Sequence, residues 1–194
     1  MNPVLNQNLF FVKEHVGMFK AANNYDILNP DTQEKMMECR EEKLGFFTKM
    51  FRFTDYKRMT PFNITVRTAD GKKVCTVKRG TTIFLSKVDV YDENDRLIGG
   101  FKQKISLKGS MRVMGPDDQE LCTLKGKWNT WEFTFVKDHN EFARVTKKWA
   151  GLGKELFTTA DNYMLEISEK VPENNPMRTL ILAAVLCVDM VLKE

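Results

Sequence analysis

Pairs of basic residues recur through the middle of the chain, at a spacing that would let them bind anions together. They are Lys78 and Arg79, Lys102 and Lys104, Lys125 and Lys127, and Lys147 and Lys148. Ammonium and guanidinium groups donate charge-assisted hydrogen bonds to phosphate oxygens. The formal net charge is only +4 over 194 residues, which favours an anionic surface in general and does not by itself indicate nucleic acid. These eight residues are our candidate binding residues.

Signals for catalysis are missing from the sequence. It contains no nucleophile elbow, phosphate-binding loop, dinucleotide fingerprint or zinc-binding helix motif. His15 and His139 lie far apart, so they do not suggest a catalytic pair. The four cysteines are also too scattered to suggest a zinc knuckle or a redox pair, and we interpret them as reduced thiols of a cytosolic protein. The N-terminal segment lacks the pattern of a signal peptide. We therefore expect a cytoplasmic protein that is not an enzyme and has no cofactor.

The elements that must position the basic pairs are β-hairpins. Apolar and polar residues alternate over 62–67, the chain turns at Asp70-Gly71, and it returns to Arg79. Alternation on both sides of an Asp-Gly pair is a strong hairpin signal.

Three more segments repeat this pattern, with turns at 93–95, 116–118 and 138–140. Each return strand ends in one of the basic pairs. Successive hairpins predict an antiparallel meander, and the regular spacing of short strands is typical of a barrel or sandwich. If neighbouring strands align, the basic ends should gather along one rim.

The first sixty residues fit the same plan less regularly. Segments 9–14, 24–28 and 44–54 favour strands. Segment 31–43 is compatible with either a turn followed by a strand or a short helix. No linker or low-complexity stretch interrupts the chain, so we expect a single domain over 1–194.

The C-terminal run 180–192 is apolar except for Asp189. About 20 apolar residues are needed to span a bilayer, whereas a run of about 10–14 more often forms a buried core helix. A helix without a polar face must be surrounded by apolar groups. An eight-stranded barrel is filled by its own side chains, so we predict a closed antiparallel barrel of about twelve strands around this helix. Asp189 would then need a partner inside the barrel or at its mouth, in either a structural or a functional role.

Three segments resemble a known family. Residues 147–167 (KKWAGLGKELFTTADNYMLEI), 178–194 (RTLILAAVLCVDMVLKE) and 23–41 (NNYDILNPDTQEKMMECRE) are similar to the phospholipid scramblase family and its LURP-one-related relatives. The resemblance implies the tubby-like fold, a twelve-stranded barrel around a C-terminal hydrophobic helix. Scramblases are described as calcium-dependent movers of phospholipids between leaflets, and tubby domains bind phosphoinositide headgroups.

The sequence departs from classical scramblases at the calcium loop that the resemblance implies. Acidic residues are expected at the positions of Thr159 and Lys170, which leaves Asp161, Asn162 and Glu166 as candidate ligands. Calcium takes six to eight oxygen ligands, with carboxylates supplying the charge. We therefore expect weak calcium binding or none. The proline-rich extension and the acylated cysteine cluster of classical members also have no counterpart in this sequence.

These observations predict a binding module that docks on anionic phospholipid or phosphoinositide, with peripheral membrane association. Two alternatives stay open. The chain could be a scramblase with a membrane-inserted C-terminal segment, or a scaffold for nucleic acid or protein. Nucleic acid ranks below lipid because the charge excess is small and no recognition helix is evident.

Overall fold

The computed structural model describes residues 1–15, 23–41, 60–81, 85–104, 110–127, 131–147 and 162–192. Within these ranges the chain forms a short 3₁₀ helix (Pro3–Asn6), twelve β-strands and one C-terminal helix. The strands are β1 (Leu9–Glu14), β2 (Tyr25–Leu28), β3 (Lys35–Glu41), β4 (Phe62–Thr68), β5 (Lys73–Arg79), β6 (Lys87–Tyr91), β7 (Leu97–Gln103), β8 (Ser110–Met114), β9 (Glu120–Lys127), β10 (Glu132–Lys137), β11 (Asn140–Thr146) and β12 (Asn162–Ile167).

The twelve strands form one closed barrel. Each strand pairs antiparallel with its neighbours in sequence, and β1 pairs with β12 to close the wall. Alternate residues face inward, such as Phe62, Ile64 and Val66 of β4. The four predicted hairpins and the predicted barrel are confirmed. Segment 31–43 contains a turn followed by β3, and segment 44–54 lies outside the described residues.

Five tight turns lie at one end of the barrel, which we call the turn end. The β10–β11 turn places Asp138 and His139 at φ 48° and 65°, as in the type I′ turns that match strand twist. The other four turns also carry a residue in the left-handed region. These residues are Gln33, Gly71, Asp95 and Asp118. The other connections between successive strands join them at the opposite end, which we call the loop end.

The C-terminal segment fills the barrel. Helix α1 (Pro176–Cys187) continues as a π-helical turn over Val188–Leu192. Asn175 caps α1 by accepting a hydrogen bond from the Met177 amide at 2.9 Å, and Pro176 fits the first position because its missing N–H is not needed there. Every residue from 178 to 191 is buried. The predicted enclosure of this apolar segment by the sheet is confirmed.

Arg178 anchors α1 at the turn end. Its guanidinium donates five hydrogen bonds, which use every N–H that an arginine has. The acceptors are the carbonyl oxygens of Leu5, Gln7, Val171 and Pro172 and the side-chain oxygen of Asn8, at 2.8 to 3.1 Å. The N-terminal segment, the chain after β12 and the start of α1 are therefore held at one point.

Candidate functional site

The basic pairs predicted from the sequence end strands that all run in the same direction. Strands β5, β7, β9 and β11 alternate with the others in an antiparallel barrel, so all four finish at the loop end. Lys104 and Lys147 directly follow β7 and β11, and Lys127 is the last residue of β9. Lys148 lies outside the described residues. The end that carries these residues is also the end where α1 finishes.

Three of these lysines lie on the outer face of the wall close to the loop end. Lys78 and Lys125 are exposed, and the Lys78 Nζ lies 4.8 Å from the centre of the Tyr91 ring. Lys104 is half-buried, with its Nζ 3.1 Å from the Thr123 hydroxyl oxygen. All three ammonium groups can be approached from solvent.

Lys102 belongs to a row of cations that crosses three adjacent strands. It lies directly opposite Lys87 of β6 on one side and Arg112 of β8 on the other. We call Lys87, Lys102 and Arg112 the wall row. Like charges directly opposite each other destabilise a sheet, so neighbouring carboxylates are needed to offset the charge of this row.

Asp118 neutralises part of this charge. It lies in the β8–β9 turn, and its carboxylate accepts a hydrogen bond from the Lys102 ammonium. That hydrogen bond, together with the positive charges of Lys102, Lys87 and Arg112, lowers the pKa of the Asp118 carboxyl. A second carboxylate lies nearby, because Asp89 of β6 pairs with Lys87, 3.3 Å between Nζ and Oδ1, so two carboxylates accompany the three cations.

A groove of about 300 Å³ lies along the wall beside Lys87, Lys102 and Asp118. Its lining includes the backbone of Gly99 and Gly100, where the wall has no side chain. Leu97, at the rim, is one of the exposed large apolar side chains. The groove thus combines two lysines, the carboxylates of Asp89 and Asp118, glycine backbone and apolar surface.

Arg79 points into the barrel, away from the surface that carries Lys78. It is only 4% exposed. Its guanidinium donates to the Thr60 carbonyl oxygen at 2.7 Å and the Ser86 hydroxyl at 3.4 Å, and it lies 4.7 Å from the centre of the Phe62 ring. The Arg79 side chain therefore forms its contacts inside the barrel, near the loop end.

Lys147 also faces inward, at the mouth of the barrel. Its Nζ lies 3.9 Å from the centre of the Trp131 ring and 5.5 Å from that of Tyr163. Burial lowers the pKa of Lys147, while the negative charges of Asp189 and Glu14 act in the opposite direction. Trp131 packs against the core, so this lysine and tryptophan lie together at the mouth, near the end of the central segment.

Asp189 has found its partners inside the barrel. The hydroxyl of Tyr25 donates to Asp189 Oδ2 at 2.5 Å, and that of Tyr163 donates to Oδ1 at 2.6 Å. The carboxylate is 6% exposed. The pKa of both tyrosines is raised, mainly because they are buried and secondly because of the negative charge of Asp189. The geometry is that of a structural carboxylate that ties the π-helical turn to β2 and β12.

The candidate calcium ligands do not come together among the described residues. Asn162 begins β12 and Glu166 lies four residues further along the same strand, which separates them by roughly 13 Å. Two ligands of one calcium ion each lie within about 2.6 Å of it, so these two cannot share an ion. Asp161 lies outside the described residues. Within the described part of the chain no group of three or more His, Cys, Asp or Glu residues is placed to hold a metal.

All four cysteines are free and buried. Burial raises the pKa of Cys75 and of Cys122 to about 12, and it raises the pKa of Cys39 and Cys187 as well. A thiol reacts as its thiolate, so these side chains behave as small apolar groups of the core.

Sequence reasoning missed several residues that the structure brings into the site. They are Lys87, Arg112 and Asp118 on the wall, and Glu14, Tyr25 and Tyr163 at the mouth. The signal for Lys87 and Arg112 was the strict alternation of their strands, which places both on the outer face. Their alignment with Lys102 depends on register, which the turns and bulges set.

No helix in the described ranges is both long and apolar enough to cross a membrane. No curated protein and no solved structure matches the chain. The scramblase family model, in contrast, matches residues 5–194. This match covers almost the entire sequence, including every strand and the central helix, and the family implies interaction with lipid in general. The chain therefore belongs to the scramblase family.

Proposed function

We propose that this scramblase-family protein is a single-domain, non-enzymatic module that binds anionic phospholipid or phosphoinositide headgroups at a membrane surface. One observation carries the proposal. Strands that end at the loop end place basic residues on the outer face of that half of the wall. Membership of the scramblase family supports a lipid as the partner.

The outward-facing lysines supply the binding energy in this proposal. Each basic residue near an anionic leaflet contributes about 1 kcal/mol, and the attraction falls off within a Debye length. Lys78, Lys102, Lys104 and Lys125 face outward, so binding should be measurable at low salt and weak at high salt. Anionic lipids are concentrated on the cytoplasmic leaflet, which makes that leaflet the expected target.

The central segment takes no part in this form of binding. Its side chains are already packed against the inner face of the barrel. Inserting it into a bilayer would require the wall to open and would expose the apolar inner faces of the strands, at a large cost in buried apolar area. Peripheral docking needs no such change.

Vesicle flotation with charge-matched variants tests the proposal. The variant K78Q/K125Q removes two outward lysines near the loop end, and the control K35Q/K72Q removes two solvent-accessible lysines near the turn end. Both have the same net charge. With phosphatidylcholine vesicles containing phosphatidylserine or a phosphatidylinositol bisphosphate, we expect K78Q/K125Q to lose about ten- to thirtyfold in affinity. The control should stay close to wild type.

Two results would overturn the proposal. One is flotation that does not weaken as salt is raised, and the other is an equal loss of affinity in the two variants. Binding to phosphatidylcholine alone would point instead to insertion of an apolar segment. Preferential binding of a nucleic acid would support the scaffold alternative.

A further inference from the structure

We propose that the wall row, Lys87, Lys102 and Arg112, is the site that binds a lipid phosphate group, and that Asp118 occupies this site as an internal counter-ion. In the bound state the phosphate takes the place of the Asp118 carboxylate on Lys102. This inference deepens the proposed membrane function and rests on it.

The strand register brings the three cations together. Lys102 lies opposite Lys87 on one strand and Arg112 on the other, so the three side chains leave the same face at neighbouring positions. Directly opposed residues have Cβ atoms about 4.5–5.5 Å apart. Lys87 and Arg112 are exposed, and Lys102 keeps 29% of its side-chain surface accessible. Lys87 also pairs with Asp89 of its own strand, 3.3 Å between Nζ and Oδ1, so a phosphate that replaces Asp118 meets Lys102 and Arg112 directly, with Lys87 beside them.

The groove beside the row gives the ligand a place to sit. Its lining includes Gly100, whose position on β7 carries no side chain, and Asp89, which lies opposite Gly100 on β6. Leu97 is 42% exposed at its edge. A phosphoinositide offers both features that such a surface complements, phosphomonoesters on its inositol ring and an apolar lipid part.

Little free energy is needed to displace Asp118 from Lys102. Its side chain is 65% exposed, and ion pairs at such positions contribute only about 0–1 kcal/mol. A phosphomonoester carries about −1.5 to −2 charge near neutral pH, compared with −1 for the carboxylate. The wall row therefore gains electrostatic energy when a phosphate replaces Asp118 on Lys102, and the freed carboxylate can turn towards water.

The neighbouring hairpin provides a matched pair. Asp95 binds Lys73 through the same kind of contact, 2.6 Å between Nζ and Oδ1. Both aspartates have φ 62° and nearly equal exposure, 67% for Asp95 and 65% for Asp118. On the ladder Lys73 faces only Arg67, whose other neighbour is the acidic Glu38. The variant D95N therefore removes the same kind of aspartate–lysine contact as D118N, at a place where no row of three cations is present.

The test compares wild type, D118N, D95N and K102M. Asparagine is well tolerated in the left-handed region, so both aspartate variants should fold. Affinity is measured for soluble inositol trisphosphate by NMR titration, and for vesicles containing a phosphatidylinositol bisphosphate by flotation. We expect D118N to bind both about two- to fivefold more tightly than wild type, D95N to match wild type, and K102M to bind more weakly. Shifted amide resonances should map to the wall row.

Two other outcomes would separate a failure of the wall row from a failure of the proposed function. Vesicle binding that is equal in wild type, D118N and D95N would overturn the wall row as the site, while the wild-type flotation would leave the proposed function standing. Tighter binding of soluble inositol trisphosphate by D118N, without flotation of any variant, would overturn the assignment to a membrane lipid and the proposed function with it.

Discussion

Two buried charged side chains hold the two ends of the central segment, and both oppose the helix dipole. Arg178 lies in the first turn of α1 and Asp189 lies beyond its C-terminal end. Each charge is therefore at the less favourable pole, at a cost of about 0.3–1 kcal/mol. Hydrogen bonds to charged groups contribute about 1.5–3 kcal/mol each. The five bonds of Arg178 and the two tyrosine bonds of Asp189 outweigh the dipole.

Removing either tyrosine hydroxyl should destabilise the fold. We expect Y25F and Y163F each to lower the free energy of unfolding by about 1.5–3 kcal/mol, because each leaves the buried Asp189 carboxylate with one donor fewer. The double variant Y25F/Y163F should lose more free energy of unfolding than the two single variants added together. Urea denaturation measures these changes, with Y91F as the control because Tyr91 lies on the outer face of the wall. Losses no larger than that of Y91F would contradict the structural role of this network.

The same tyrosines predict how stability depends on pH. Their pKa values are raised in the folded state, whereas the pKa of an unfolded tyrosine is about 10. The folded state therefore holds more protons in alkaline solution, so the stabilisation is complete below pH of about 10 and is lost as the pH rises above it. Denaturation curves between about pH 8 and 11 should show a steeper fall for wild type than for Y25F/Y163F. Equal slopes would contradict this.

At the scale of elements, the wall and the helix approach each other closely at Gly99. Gly99 begins the inward-facing part of β7 with φ +144°, and a Cβ there would lie 2.2 Å from the Met114 carbonyl oxygen and 3.2 Å from Leu180 Cδ1. The first of these atoms is backbone and cannot move aside without shifting β8. Glycine at this position lets the helix pack directly on the sheet.

Alanine at Gly99 should therefore be poorly tolerated. We expect G99A to lower the free energy of unfolding by about 2–4 kcal/mol, combining overpacking with an unfavourable φ. G71A is the control, because Gly71 also has a positive φ, +87°, but has no atom within 4 Å of its Cβ position. It should lose only about 1 kcal/mol. Thermal or urea denaturation measures both, and equal losses would show that backbone strain alone accounts for the effect.

Much of the fold could be predicted from the sequence because its signals are local. Alternation and turn residues predict each hairpin, and an apolar segment of this length predicts a core helix. To predict the roles of the side chains at the strand ends, the side of the sheet that each one faces must also be known. Neighbouring residues face opposite sides of a sheet, so Lys78 points outward and Arg79 inward, although the pair looks like one basic patch in the sequence.

The contacts of Arg178, the tyrosine partners of Asp189 and the wall row were beyond sequence reasoning. Each depends on residues brought together from distant parts of the chain, such as Tyr25 and Asp189. An arginine at the start of an apolar run looks like an ordinary flanking charge until the fold places carbonyl groups around it. Only the closed barrel supplies those neighbours.

At the scale of the whole molecule, the fold separates an apolar interior from a charged exterior. The most hydrophobic segment lies at the centre, and the outward-facing basic residues of β5, β7 and β9 lie towards the loop end of the wall. A protein built in this way can approach an anionic membrane through its exterior while the barrel stays closed. Lipid binding and an enclosed central segment are therefore compatible.

Hydrogen–deuterium exchange with and without anionic vesicles tests this central claim most directly. Peptides covering residues 178–191 should be strongly protected in solution, and their protection should not change when the protein is bound to vesicles, because the barrel remains closed. Protection should increase instead in peptides that contain the wall row. Faster exchange in residues 178–191 on vesicle binding, or their protection from exchange only in the presence of lipid, would contradict the account and favour insertion of the C-terminal segment.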